Sequence, residues 1–428
     1  MSDKETSNNK KTLTRKQQLI RRRRKRQIAL LAVEMVLLLV LGACCYVVSK
    51  LDLMQTEDLN LEEIYRPSFE NERPTIAEAE STERPTQKET EGESEGESGS
   101  EAEGTETETE TEAETAEVVE TTAENYVSKD YGTVVDGYWN ILLVGVDNSG
   151  EGQQVLTRNA NSDTMIICSI NMETYEIKLA SVYRDTYLKM AGDGGYNKAN
   201  YALMHGTIVD TVNTLNQNLD IYLTDYVVVN WASVARCVDL LGGIEADITP
   251  ELIDVNQGAF NSYVTDIVNT TGMGSVQIWT PGVQHLDGVQ TVAYCRVRYG
   301  STDYARTERQ REVLVKLLAQ LKKVDFKTML ALIDELLPNI ATSIDKGDLL
   351  NIALDAFNYS IVDSCGFPFD KRSNSRVGNI SVPDPVIAVN LISNVTKLHE
   401  FLYGSNGYSP TSMVRSINDY IGQLSGYY

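Results

Sequence analysis

Hydrophobic and polar positions divide the chain into unlike stretches. Ile28 to Val48 is a run of 21 residues, apolar apart from Glu34; as a helix it spans about 31 Å, the thickness of a bilayer core. Residues 51 to 125 hold few large apolar groups and repeat Glu-Gly-Glu-Ser and Thr-Glu-Thr-Glu, so they bury too little to offset the entropy of ordering. From Tyr126 onward, strand-like and helix-like patterns alternate. Asn140 to Asp147 and Thr164 to Ile170 read as buried strands, and Ile177 to Val182 returns after a polar turn, as a hairpin does. Tyr201 to Asn216 reads as a helix and Tyr226 to Asn230 as a strand. Trp231 to Leu241 reads as a helix that Gly242-Gly243 terminates. A strand at Thr291 to Val297 and an amphipathic helix at Thr307 to Lys323 complete the series. The pattern predicts a three-layer α/β/α sandwich with a mixed central sheet, preceded by one transmembrane helix and a disordered linker.

Charge sharpens this division. The 428 residues carry a formal net charge of −23, very unevenly. Residues 1 to 26 hold 11 Lys and Arg against 2 acids, residues 51 to 125 hold 25 acids against 4 bases, and residues 126 to 428 hold 22 bases against 33 acids. The basic head before the apolar run predicts a cytoplasmic N-terminus and an external C-terminal domain. The expected organisation is a basic tail (1–26), a membrane helix (27–50), an acidic linker (51–125) and an external domain (126–428) with its core at about 138–325. Cys44 after Leu41-Gly42-Ala43 leaves a lipoprotein anchor as the rival, with the domain external in both cases. An acidic domain argues against nucleic acid as the main partner.

Several chemistries drop out. Gly92-Glu93-Ser94-Glu95-Gly96 spells the Gly-x-Ser-x-Gly hydrolase pattern inside low complexity, with no strand before it or helix after it. The three histidines lie far apart, and Cys168, Cys237, Cys295 and Cys365 show no paired spacing, so no metal site is expected; disulfides stay open outside the cell, while Cys168 and Cys295, in apolar strand-like runs, read as buried free thiols. What remains gathers at strand ends. Asp147 closes the first core strand, Asp163 opens the second, and Arg184-Asp185 closes the third. Arg296 and Arg298, two apart, share a face if the strand runs through them. Arg306 and Gln310, four apart, share a helix face. The guanidinium fork suits a diphosphate, and two neighbouring acids suit Mg²⁺. The competing reading pairs these arginines with surface acids such as Asp303 and Glu308 and makes the aspartates turn caps.

The motifs occur in a particular order: Asn140-Ile-Leu-Leu-Val-Gly-Val-Asp147, Ser162-Asp163-Thr164, Tyr183-Arg184-Asp185-Thr186, Asn197-Lys198-Ala199-Asn200, Asp239 to Ile244, Gln284 to Gly288, Arg296-Val297-Arg298 and Arg306 to Gln310. In that order and spacing the chain resembles the extracellular domain of LytR-CpsA-Psr proteins. It departs at Asn161 and Tyr183, where the family most often has Arg and Pro. The resemblance implies a cell-envelope phosphotransferase that moves a glycopolymer from a polyprenyl-pyrophosphate carrier onto a peptidoglycan sugar hydroxyl. It implies Asp147 and Asp163 as Mg²⁺ ligands. It implies Arg184, Arg296, Arg298, Arg306 and Gln310 around the pyrophosphate, with Lys198 a further candidate there. Asp185 would orient Arg184 or accept the attacking hydroxyl's proton; orientation is favoured, because an Asp beside Arg makes a weak base. Such chemistry needs positioning and charge neutralisation more than a covalent nucleophile. Hydrolysis of the same pyrophosphate by water, or a non-enzymatic regulatory role in the envelope, are the alternatives.

Overall fold

The computed structural model describes residues 55–56, 64–65, 135, 137–147, 162–192, 194–254, 260–298, 303–374, 376–404 and 407–428. The expected basic tail and membrane span and most of the expected acidic linker lie outside the described residues. Among the described residues, no helix is long and apolar enough to cross a membrane.

A seven-stranded sheet organises the domain. Its strands are β1 (Gln55–Thr56), β2 (Tyr138–Val146), β3 (Ser162–Asn171), β4 (Glu176–Val182), β7 (Asp225–Asn230), β10 (Ile340–Thr342) and β11 (Ser360–Phe367), in the order β1-β10-β7-β2-β3-β4-β11, while β5 (Tyr187–Lys189) pairs with β6 (Tyr196–Lys198) and β8 (Ile244–Ile248) with β9 (Gly282–Leu286) in two small sheets. The sheet is mixed: β2 pairs parallel to β7 and antiparallel to β3, while β4 pairs antiparallel to β3 and parallel to β11. The polar turn after Asn171 forms as the sequence predicts, because the Asn171 Oδ1 accepts from the backbone N–H groups of Glu173 and Thr174. The middle strands are buried on both faces. Ile141, Ile166, Cys168 and Leu179 pack with Tyr359 and Ile344 into one core cluster. Elsewhere the helix Leu391–Tyr403 docks, its Tyr403 Oη donating to Asn140 Oδ1 at 3.1 Å and its Phe401 carbonyl accepting from Lys178 Nζ.

Three elements differ from the sequence reading. The helix expected at Tyr201 to Asn216 is two helices, Tyr201–His205 and Ile208–Leu219. Thr207 starts the second by a reciprocal capping box with Asp210. Thr291 to Val297 is not a strand: Gly288–Arg296 is a helix. Asp287 Oδ1 accepts from the Gln290 N–H, and Gln290 Oε1 accepts in return from the Asp287 N–H. This cap nucleates a helix through β-branched residues whose continuous burial resembles that of a strand. Arg296 therefore ends a helix, and the shared strand face expected for Arg296 and Arg298 does not exist. Gln55, Thr56, Ile64 and Tyr65, within the stretch expected to be linker, belong to the same structural unit as the domain.

Candidate active site

The β2–β3 edge sets the site. Antiparallel pairing aligns Val144 with Met165 and Gly145 with Thr164, then slips so that Val146 faces Ser162. Asp163 is the extra residue of this bulge, and bulges re-aim side chains at strand ends. Gly145 permits it: a Cβ there would lie 3.1 Å from the Thr164 Cβ. Asp147, just beyond Val146, thus follows β2 beside the bulge that bears Asp163.

Around Asp163 the structure gathers arginines from three elements. Arg184, in the turn after β4, places Nη1 at 2.5 Å from Asp163 Oδ1. Arg298, two residues past the helix Gly288–Arg296, places Nη2 at 3.4 Å from the same oxygen. Arg306, in the helix Asp303–Leu321, donates Nη2 to the Asp163 backbone carbonyl at 3.3 Å. Arg306 also pairs with Asp303 Oδ1 at 2.9 Å, and Arg184 Nε lies 3.9 Å from that oxygen. Arg184 Nε is 3.4 Å from Asp185 Oδ2, while Lys198 on β6 (Tyr196–Lys198) reaches Asp185 Oδ1 at 2.9 Å. The lysine is therefore an ion-pair member and not a solvated surface group.

Arg296 stands in an adjoining half of the cluster. Its two Nη atoms bridge Asp147 at 3.1 Å and Asp266 at 3.0 Å. The rings of Trp231 and Tyr263 flank its guanidinium at 5.8 and 6.0 Å, cation–π contacts at the edge of their range. Gln310 is buried, but its Nε2 donates to the Cys295 carbonyl at 3.1 Å. The donor expected for a pyrophosphate is thus engaged in tying two helices together.

Electrostatics separates the arginines. Burial opposes the charged form of Arg184, yet Asp163, Asp185 and Asp303 outweigh it and raise its pKa. Arg306 is only 1% exposed. Burial pulls its pKa below the ordinary arginine value, Asp303 opposes that pull, and neighbouring Arg298 and Arg184 add to it. Its Nε has no hydrogen-bond partner among the described residues. A cation buried at that cost needs anions around it. Cys168 and Cys295 are free and buried, their thiols pushed up to about 12 by desolvation. Such thiols are inert packing groups.

Sequence reasoning underrated Asp303 and missed Asp266. The three-residue spacing of Asp303 and Arg306 on one helix face was the available signal for the first; nothing local marked the second. It also missed Arg309, whose Nε donates to the Tyr294 carbonyl at 2.8 Å and whose Nη2 donates to the Val297 carbonyl. This guanidinium caps the C-terminal turn that carries Arg296 and leads into Arg298.

The model of the LytR_cpsA_psr family matches residues 98–382, well over half of the chain. The chain belongs to the LytR_cpsA_psr family. Among LytR_cpsA_psr-like relatives, the polyisoprenyl-teichoic acid–peptidoglycan teichoic acid transferase TagU of Enterococcus faecalis is 30% identical over 223 residues, covering 51% of this chain and 65% of TagU. Biofilm regulatory protein A of Streptococcus mutans is 31% identical over 215 residues, covering 46% of this chain and 49% of that protein. The chain therefore spans under two thirds of the length of either relative. A solved Streptococcus agalactiae protein shares the mixed α/β fold, with a TM-score of 0.54 at 22% identity over 67% of this chain and 95% of that one.

Proposed function

We propose that the chain transfers a glycopolymer from a polyprenyl-pyrophosphate carrier to a peptidoglycan sugar hydroxyl, forming a phosphodiester at the outer face of a membrane. The proposed setting is a single membrane-spanning helix with a cytoplasmic N-terminus and an external three-layer α/β/α catalytic domain. The observation that carries this reading is the convergence of Arg184, Arg298 and Arg306 on one bulged residue, Asp163. Three guanidiniums aimed at one small region, two of them largely buried, match the distributed negative charge of a diphosphate.

The donor set fits Mg²⁺. Two hard carboxylates, Asp147 and Asp163, border the arginine cluster, and each meets an arginine through one oxygen. Mg²⁺ takes one or two carboxylates, with water and phosphate oxygens completing its shell. Asp147 and Asp163 would hold it, and it would neutralise charge building on the phosphoryl oxygens. Arg184, Arg298 and Arg306 hold the pyrophosphate oxygens, and Arg296 neutralises charge beside Asp147. Asp185, paired to Lys198, keeps Arg184 aimed by its side contact at Nε. Arg309 and Gln310 fix the turn that carries Arg296 and Arg298. Binding and orientation in a preorganised charged site are what phosphoryl transfer asks of a protein.

Incubating the purified chain with lipid-linked polymer, Mg²⁺ and peptidoglycan, then analysing wall fragments by mass spectrometry, tests the proposal. A polymer–phosphate–muropeptide adduct is the expected product. Free polymer phosphate without adduct identifies a hydrolase, and no turnover contradicts the proposed transfer.

A further inference from the structure

The stretch that follows the apolar span does not share the character of the acidic repeats. Residues 51 to 65 contain seven large apolar side chains, Leu51, Leu53, Met54, Leu59, Leu61, Ile64 and Tyr65, whereas the 65 residues from 68 to 132 also contain seven. That is more than a fourfold higher density, and the described residues of the stretch use it. Gln55 and Thr56 pair in parallel with Ala341 and Thr342, covering the edge of β10 that faces away from β7. An open strand edge is a row of unpaired backbone groups, and this pairing closes it. Ile64 is 4% exposed. The Tyr65 N–H donates to Asn213 Oδ1 at 2.7 Å, and the Tyr65 carbonyl accepts from Asn216 Nδ2 at 3.4 Å, both on the helix Ile208–Leu219. On the far side of the acidic stretch, the Gly137 carbonyl accepts from the Met172 N–H at 2.9 Å, and β2 begins at the next residue. Both flanks of residues 68–132 are thus fastened to one structural unit.

We infer that Gln55–Thr56 and Ile64–Tyr65 act as a strap of the catalytic domain, docked on the β10 edge and on the helix Ile208–Leu219. The chain is thus fastened to this unit on both sides of residues 68–132, so these residues do not set the distance between domain and membrane. That distance is set by the five steps from Lys50 to Gln55, at most about 17 Å when fully extended. The membrane part of this inference rests on the anchor reading proposed above; the strap does not. Its consequence is a site held near the height of a lipid headgroup.

Hydrogen exchange on the full chain in detergent tests the strap. Amides of Gln55, Thr56, Ile64 and Tyr65 are expected to exchange on average at least about tenfold more slowly than those of residues 90–115, because strand pairing, burial and the bond to Asn213 protect this part of the chain. Asn213→Ala and Ile64→Asp are expected to return them to the fast rate, while the β2 and β3 amides stay protected. Equal exchange across residues 55–115 in the unaltered chain overturns the strap. In vesicles, removing residues 75–125 is expected to leave energy transfer between a C-terminal dye and a lipid dye unchanged; transfer that rises on this shortening overturns the inference as well. Failure of the chain to sediment with vesicles at all refutes the anchor reading alone, and the exchange result then decides the strap.

Discussion

The carboxylate of Asp163 lies 2.5 Å from Arg184 Nη1, while the backbone carbonyl of the same residue accepts from Arg306. One bulged residue thus orients two guanidiniums by two different atoms. Asp163→Asn keeps the backbone contact to Arg306 and removes the charge that draws Arg184 and Arg298. Charge-assisted hydrogen bonds contribute about 1.5–3 kcal/mol each, so transfer is expected to fall roughly tenfold to a hundredfold or more. Circular dichroism should show the fold retained. Normal transfer by this variant would leave Asp163 as a strand-end residue with no part in the site.

Arg309 gives a second, separable expectation. Its side chain donates to the Tyr294 and Val297 carbonyls and lies over the Tyr294 ring. Arg309→Lys supplies a charge but not two donors in a fixed fork. The turn bearing Arg296 and Arg298 should loosen, raising KM for the lipid-linked donor about tenfold while the KM for peptidoglycan is unchanged. A lower apparent kcat with both KM values unchanged would instead point to a loss of folded protein.

Packing beneath the site is tested at Gly288. A Cβ built on Gly288 would lie 1.9 Å from the Ala235 carbonyl oxygen, so the helices Trp231–Leu240 and Gly288–Arg296 touch through this glycine. Asp239 Oδ1 also accepts from the Gly288 N–H. Gly288→Ala forces the helices apart and is expected to cost at least about 1–3 kcal/mol, read as a lower urea midpoint. An unchanged midpoint would show that the two helices separate without penalty.

Most of this architecture was legible in the sequence, and each exception has its own physical cause. β2, β3 and β4 were readable because strands buried on both faces form continuous apolar runs bounded by polar turns. The helix Gly288–Arg296 was not, because it too is buried all round and carries Val289, Thr291 and Val292. Only the Asp287–Gln290 capping box distinguishes it, and that signal is local and short. At the site, Asp147, Asp163, Arg184 and Arg306 were readable from strand ends and helix spacing. Asp266 was not, since it reaches Arg296 across 30 residues of sequence and only the fold makes them neighbours. Gln55 to Tyr65 were hidden by the acidic composition that follows them.

Acid should weaken the fold through His399. The imidazole is buried against the Leu219 carbonyl and stacked on Tyr408, and burial lowers its pKa from 6.5 to about 4. An unfolded chain takes up this proton as pH falls below the ordinary value, and the folded chain does so only near the lowered one. Between those values the unfolded state binds more protons, so the contribution present at neutral pH is lost progressively on acidification. Thermal melts of His399→Phe are expected to start from a lower stability at pH 7 but to decline less between pH 6.5 and about 4. A parallel decline in both proteins would show that carboxylates alone govern acid sensitivity.

The most direct measurement of the pyrophosphate assignment is calorimetric titration of the full chain with geranylgeranyl pyrophosphate and Mg²⁺, comparing Arg184→Ala, Arg298→Ala and the remote Arg415→Ala. Removing either site arginine is expected to weaken binding roughly tenfold to a hundredfold, with Arg415→Ala matching the unaltered chain. Undiminished affinity in both Arg184→Ala and Arg298→Ala would contradict the assignment and leave these arginines as partners of Asp163 and Asp303 alone.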